Sequence, residues 1–187
     1  MTVGFSLTQG MRRAVAIRGR EAAIVDGPIR FTWEQFADRV ARLAAAFVAI
    51  GLKPGGRVVL LSLNSHRSLE CFYAAMHAGG VIVPINHRLG ANEILAQTRD
   101  CGPHIVILGS DFTAMADMLR VGPDGIERAI IFCGPDAAPD GVHDYEQLVL
   151  GHAPAQDAGR SGNDLACILY TSGTTNAAKG VMLSHAN

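Results

Sequence analysis

No stretch of this chain approaches the roughly eighteen consecutive apolar residues that a membrane-spanning helix requires, and Met1 to Arg20 holds no uninterrupted apolar core of signal-peptide length. A membrane span and a secretory leader are therefore not expected, and a cytoplasmic location is the simplest expectation. An excess of charge of either sign is also lacking: 16 Lys and Arg face 17 Asp and Glu, for a net charge of −1. Nothing in that balance draws the chain toward nucleic acid or anionic membranes, and the five arginines from Arg12 to Arg30 read as a solvated face. Clustered cysteines are missing as well. Cys71, Cys101, Cys133 and Cys167 stand far apart in apolar segments, which predicts buried free thiols rather than disulfides or a zinc site. The histidines at 66, 77, 87, 104, 143, 152 and 185 show no paired metal spacing and read as surface or capping residues. Internal repeats and low-complexity tracts are absent too.

What is present is a chain of 187 residues, 49% hydrophobic and 18% charged, large enough to bury a real core. Ala22 to Asp26 and Ile29 to Thr32, parted by Gly27-Pro28, predict a small hairpin. Thr32-Trp33-Glu34-Gln35 has the form of a capping box, and Phe36, Val40, Leu43, Phe47 and Ile50 recur at helical spacing until Gly51 stops the run. After Lys53-Pro54-Gly55-Gly56 comes the apolar run Val58 to Leu61, which reads as a buried strand. A second helix is predicted from His66 to Ala78, with Leu69, Phe72, Tyr73 and Met76 on its apolar face, and then a strand from Val81 to Ile85. The alternation continues with a helix near Asn92 to Asp100, a strand from His104 to Leu108, a helix near Phe112 to Arg120 and a strand from Ala129 to Cys133. Strands separated by helices imply parallel crossovers, so an α/β fold with a largely parallel sheet flanked by helices is expected. Gly151 to Asp164 reads as an exposed connection into a further strand, Leu165 to Tyr170.

The densest chemistry lies between Leu169 and Val181. Thr171, Ser172, Thr174 and Thr175 offer hydroxyl donors, Gly173 and Gly180 let backbone N–H groups approach an anion, and Lys179 adds a positive charge. This pattern suits the phosphates of a nucleotide. It is not a Walker A loop, because Lys179 precedes Gly180 and the following Val181-Met182-Leu183 reads as a strand, so the loop joins strand to strand. Composition alone would favour an ordinary tight turn at these residues, since Ser, Thr and Gly are common turn formers, and a lone lysine is usually a solvated one.

The ordered run reverses that balance. Tyr170 to Val181, with His185 and Asn187 beyond it, resembles the signature loop of the adenylate-forming (AMP-binding) superfamily, whose usual form is Tyr-Thr-Ser-Gly-Thr-Thr-Gly-x-Pro-Lys-Gly-Val followed by His-x-Asn. Asn176 stands where the family has Gly, and Ala178 where it has Pro. Asn tolerates positive φ better than most residues, while Ala178 loosens a loop that Pro would stiffen. Pro84 to Leu89 is similar to a Pro-x-Asn-x-Arg-Leu element of the acyl-CoA ligase branch, where Asn86 and Arg88 would brace a strand end.

The resemblance implies an ATP-dependent acyl-CoA synthetase, an acid–thiol ligase, with ATP, Mg2+ and CoA as cofactors and a small carboxylic acid as partner. Thr171, Ser172, Gly173, Thr174, Thr175, Lys179 and Gly180 would hold the ATP phosphates, with no catalytic residue and no metal ligand assigned. Residues 1–164 would form an N-terminal subdomain of the large domain of such an enzyme, and 165–187 the start of its next part. Ser184 reads as a helix N-cap with three residues after it, and family members run to several hundred residues. The chain is accordingly expected to be an amino-terminal third, inactive alone. A homo-oligomer is left open. Two other classes stay open: a degenerate or non-catalytic nucleotide-binding fragment, and the adenylation domain of a peptide synthetase. A dinucleotide-dependent oxidoreductase is disfavoured, since no Gly-x-Gly-x-x-Gly follows the first strand.

Overall fold

Unbroken apolar runs in the strands and one-sided apolar stripes in the helices require a sheet covered on both faces, and the computed structural model has that architecture. It describes residues 4–122, 125, 127–171 and 178–187. The elements run α1 (Leu7–Arg18), β1 (Ala22–Asp26), β2 (Ile29–Thr32), α2 (Trp33–Ala49), β3 (Arg57–Leu61), α3 (His66–His77), β4 (Val81–Pro84), α4 (Ala91–Cys101) and β5 (Ile105–Leu108). A 3-10 turn (Ser110–Met115), α5 (Ala116–Arg120), β6 (Ala129–Phe132), β7 (His143–Asp144), α6 (Tyr145–Gly151), β8 (Leu165–Thr171) and β9 (Lys179–Ser184) complete the described chain. β1 and β2 form a separate antiparallel hairpin. The other seven strands form one sheet in the order β7-β6-β5-β3-β4-β8-β9, parallel throughout except for the β8–β9 pair.

Successive residues of each strand enter different cores. Val58 and Leu60 of β3, with Ile82, Ile105, Ile107 and Ile131, meet α2, α3 and α6 on one face. Val59 and Leu61, with Val81, Val83, Val106 and Leu108, meet α4 and α5 on the other. The two-residue strand period thus fills both faces, as parallel sheets with helical crossovers require. α2 begins with the expected capping box: Thr32 accepts from Gln35 N–H, and the Gln35 side chain accepts from Thr32 N–H. Its predicted stripe is in the core, with Phe36, Val40, Leu43 and Phe47 at most 1% exposed.

Several expectations need correction. α3 buries the face Leu69–Phe72–Tyr73–Met76 only in part, with Phe72 and Tyr73 half-buried against the core. Glu70, Cys71, Ala74 and Ala75 are fully buried with Met76, whereas Leu69 is 41% exposed. The reason is that small side chains let α3 sit close on α2, and the polar Glu70 belongs to the buried stripe that an apolar count passes over. His66, His77 and His185 are likewise buried rather than on the surface. His77 Nε2 meets the Ala155 carbonyl at 3.0 Å. Residues 152–164 have no regular structure, yet they act as a strap. Ala155 N–H donates to Ala41, Ala158 N–H donates to His77, and Asp157 accepts from Thr8 at 2.7 Å. The segment near 112–120 is a 3-10 turn followed by one short helix rather than a single helix. α1, β7 and α6 had no counterpart in the sequence pattern. All four cysteines are free and buried, as expected, and burial pushes the Cys167 thiol up to about 11 and that of Cys101 to about 12.

One carboxylate joins the three helices of the first face. Glu70, with no exposed surface, accepts from Arg39 Nε at 2.9 and 3.1 Å and from the Tyr145 hydroxyl. Arg39 Nη2 reaches Glu146 at 3.0 Å, and Arg67 Nε reaches the same carboxylate at 3.1 Å. Removing the buried member leaves a buried guanidinium and a phenol without their partner. Glu70→Ala should therefore cost about 3–5 kcal/mol in urea unfolding, whereas Glu70→Gln, which still accepts from Tyr145, should cost about 1–3 kcal/mol.

Candidate phosphate-binding site

β8 and β9 form the hairpin whose connecting loop carries the hydroxyl-rich run. Pairing along it sets Leu169 opposite Val181, Tyr170 opposite Gly180 and Thr171 opposite Lys179. The strand-to-strand connection anticipated from Val181 to Leu183 is thus present, and Thr171 and Lys179 stand side by side where the loop leaves and rejoins the sheet. Both are exposed, as is Ala178. Ser172, Gly173, Thr174 and Thr175, together with Asn176, lie outside the described residues.

Gly180 has a steric reason to be glycine. A Cβ at this position would stand 2.9 Å from Ile168 Cγ2 and 3.4 Å from the Tyr170 ring, so any larger residue would push the strand away from its neighbours. Tyr170 is anchored from elsewhere in the fold: its hydroxyl donates to Asp100 Oδ2 in the last turn of α4 at 2.5 Å. Nothing in the local sequence pattern around either residue pointed to this pair, which lies 70 positions apart.

Because β8 runs parallel to β4, the loop leaves from the carboxyl end of the sheet, the end at which open α/β sheets bind ligands. Two cavities open on this end. The larger, about 660 Å³, lies between the β1–β2 hairpin and the ends of β3 and β4, with His66, Ser62, Leu69, Phe72 and Ile85 in its wall. His66 is held there by Asp26, which accepts from its backbone N–H at 2.9 Å and from Nδ1–H at 2.8 Å. Those hydrogen bonds, the backbone one foremost, keep the Asp26 carboxyl below its ordinary range. Asn86 accepts from Arg88 N–H at 3.0 Å and closes a turn after β4, while the Arg88 side chain is exposed.

The AMP-binding enzyme family is matched over residues 11–187. The chain belongs to that family. Benzoate–CoA ligase of Arabidopsis thaliana peroxisomes is 31% identical over 189 residues, covering 94% of this chain and 33% of that protein. Among solved structures, the anthranilate CoA ligase AuaEII in complex with anthranoyl-AMP superposes with a TM-score of 0.91 at 21% identity, over 100% of this chain and 36% of that one. ATP-bound MatB from Rhodopseudomonas palustris superposes with a TM-score of 0.82 at 28% identity, over 97% of this chain and 35% of that one. This member of the AMP-binding family therefore spans about a third of the length of the curated relatives it matches.

The two residues past the loop that match the family's His-x-Asn have structural contacts in this AMP-binding chain. His185, 1% exposed, accepts from Leu7 N–H through Nδ1 at 3.2 Å and donates its own N–H to the Asp164 carbonyl, so it ties β9 to α1. Asn187 Oδ1 accepts from Ser184 N–H at 2.7 Å and from the Ser184 hydroxyl at 2.9 Å. Among the described residues no three His, Cys, Asp or Glu side chains cluster as metal ligands. Among them, too, no helix is long and apolar enough to cross a membrane.

Burial holds the His185 pKa below its ordinary 6.5. The unfolded chain therefore binds a proton that the folded chain resists, and stability that is full above about pH 6.5 is lost as the pH falls through the folded value. Urea midpoints measured at pH 7.5 and 5.5 should fall with acid, and the fall should be smaller in His185→Gln, which keeps an acceptor for Leu7.

Proposed function

We propose that the hydroxyl-rich hairpin loop holds the β- and γ-phosphates of ATP, and that this chain is the phosphate-handling, amino-terminal part of an acyl-CoA synthetase. The observation that carries this reading is the pairing of Thr171 with Lys179, which sets a hydroxyl and an ammonium together at the two ends of a loop rich in Ser, Thr and Gly. A carboxylate is a poor acyl donor, because its leaving group would be oxide. Attack of its oxygen on the α-phosphate of ATP forms an acyl-adenylate and expels pyrophosphate, and a thiol, here that of CoA, then takes the acyl group and releases AMP.

The loop's part in this is positional and electrostatic. Lys179 offsets charge that gathers on the departing pyrophosphate, and Thr171, Ser172, Thr174 and Thr175 orient it, with Gly173 and Gly180 allowing close approach. The ligase branch is supported by Pro84 to Leu89 and by the CoA-ligase relatives. The division at residue 164, the CoA acceptor and a cytoplasmic location belong to the same proposal. Since the chain spans only a third of its relatives, a second reading is that it binds nucleotide without turnover.

ATP–pyrophosphate exchange with a panel of fatty and aromatic acids separates these readings, run on the 187-residue chain and on the product of its uninterrupted reading frame. Exchange confined to the longer product is the expected result. Exchange in neither favours binding without turnover, with Asn176→Gly and Ala178→Pro the first changes to restore it. In an active product Lys179→Ala should slow exchange by about ten- to a hundredfold, the worth of one charge-assisted hydrogen bond; an unchanged rate removes Lys179 from the site.

A further inference from the structure

The β8–β9 hairpin runs past the end of β4 before it reaches the loop. β8 is bridged to β4 at a single pair, Ile82 with Cys167, and β9 is the outer strand of the sheet. Ile168 to Thr171 therefore continue without a ladder partner on the β4 side, and the loop grows from the end of this projecting ribbon. A two-stranded ribbon alone holds its orientation poorly.

Contacts to the helical layer take the place of the missing ladder. Ile168 and Tyr170 both pack into the core that contains Ile94 and Cys101 of α4. Tyr170 goes further, donating its hydroxyl hydrogen to Asp100 across 2.5 Å. The same ring lies beneath Gly180, so it is gripped by α4 on one side and supports the backbone next to Lys179 on the other. One residue beyond Tyr170 is Thr171, and one residue before Gly180 is Lys179.

We propose that Asp100 is a positioning residue for the phosphate loop, acting through Tyr170 to hold both loop ends at one orientation relative to the sheet. This rests on the phosphate-binding reading given above. Asp100 touches no phosphate in this scheme. It fixes the phenol ring, the ring fixes the Gly180 backbone, and the paired Thr171 and Lys179 follow. Desolvation first, and then the hydrogen bond to Asp100, raise the Tyr170 pKa, so the phenol remains a donor throughout the neutral range.

The test is binding of inorganic tripolyphosphate to the 187-residue chain by titration calorimetry, in the wild type, Asp100→Ala, Tyr170→Phe, the double variant and Asp100→Asn, with thermal midpoints recorded beside each. Asp100→Ala and Tyr170→Phe should each weaken binding by about three- to tenfold, and the double variant no further than either, because both break one link. Asp100→Asn, whose amide oxygen still accepts, should recover most of the loss. Unchanged affinity in the single variants, additive losses, or losses that merely track a lowered fraction of folded protein would each overturn the proposal. Wild-type binding with unaffected variants removes only the tether and leaves phosphate binding standing. A wild type that binds no tripolyphosphate removes the phosphate reading, and the tether with it.

Discussion

A buried carboxylate must be fully hydrogen-bonded or it opposes folding, and that requirement at Glu70 organises one whole face of this protein. Its oxygens are met by Arg39 from α2 and Tyr145 from α6, while Glu70 itself comes from α3. Arg39 then reaches on to Glu146, which also accepts from Arg67, so three helices share one closed set of charges. Such a set adds little stability over apolar packing of the same volume, but it tolerates few alternatives. Sliding α3 along α2 by one residue would leave a bare charge in the core, so the register of that helical layer follows from it. The apolar contacts of Phe36, Leu43, Phe47 and Ala74 then fill the space the ion cluster defines.

The sheet passes that order on to the site. Strands β3, β4 and β5 are each paired on both sides and buried on both faces, so they form the middle of the sheet. Their carboxyl ends open the cavities at which His66 is held by Asp26. The β8–β9 hairpin is different in kind: it sits at the rim, paired to the sheet through one bridge, with Val181 and Met182 exposed on its outer strand. Such a ribbon needs an anchored base to hold one orientation. Tyr170 resting under Gly180 supplies the anchored base, and His185 and the strap from 152 to 164 hold the far end of the hairpin to α1.

Much of this was legible in the residues, for reasons that differ by element. The α2 capping box and apolar stripe are local signals, and a local signal survives folding unchanged. The strands β3 to β6 were recoverable because burial on both faces demands unbroken runs of Val, Ile and Leu. The family was legible because the run from Tyr170 to Val181 is contiguous: hydroxyls, glycines and a lysine in one order. α1 escaped because its twelve residues bury only Thr8 and Met11, too little to leave an apolar period. The α3 face was displaced because Glu70, His66 and His77 look solvent-facing until their partners from distant segments are known.

The amino-acid sequence by itself determined the α/β class, the order of most elements and the family to which the chain belongs. Each of these rests on interactions between near neighbours along the chain, on residue period, capping, turn chemistry and ordered hydroxyls. Only the tertiary structure decided that Glu70 is the centre of a helical layer, that His185 is a clasp on α1, and that Asp100 stands against Tyr170. Those three depend on groups from 31 to 178 positions away, brought together by burial of the sheet, and no local pattern encodes which polar side chain will lose its water.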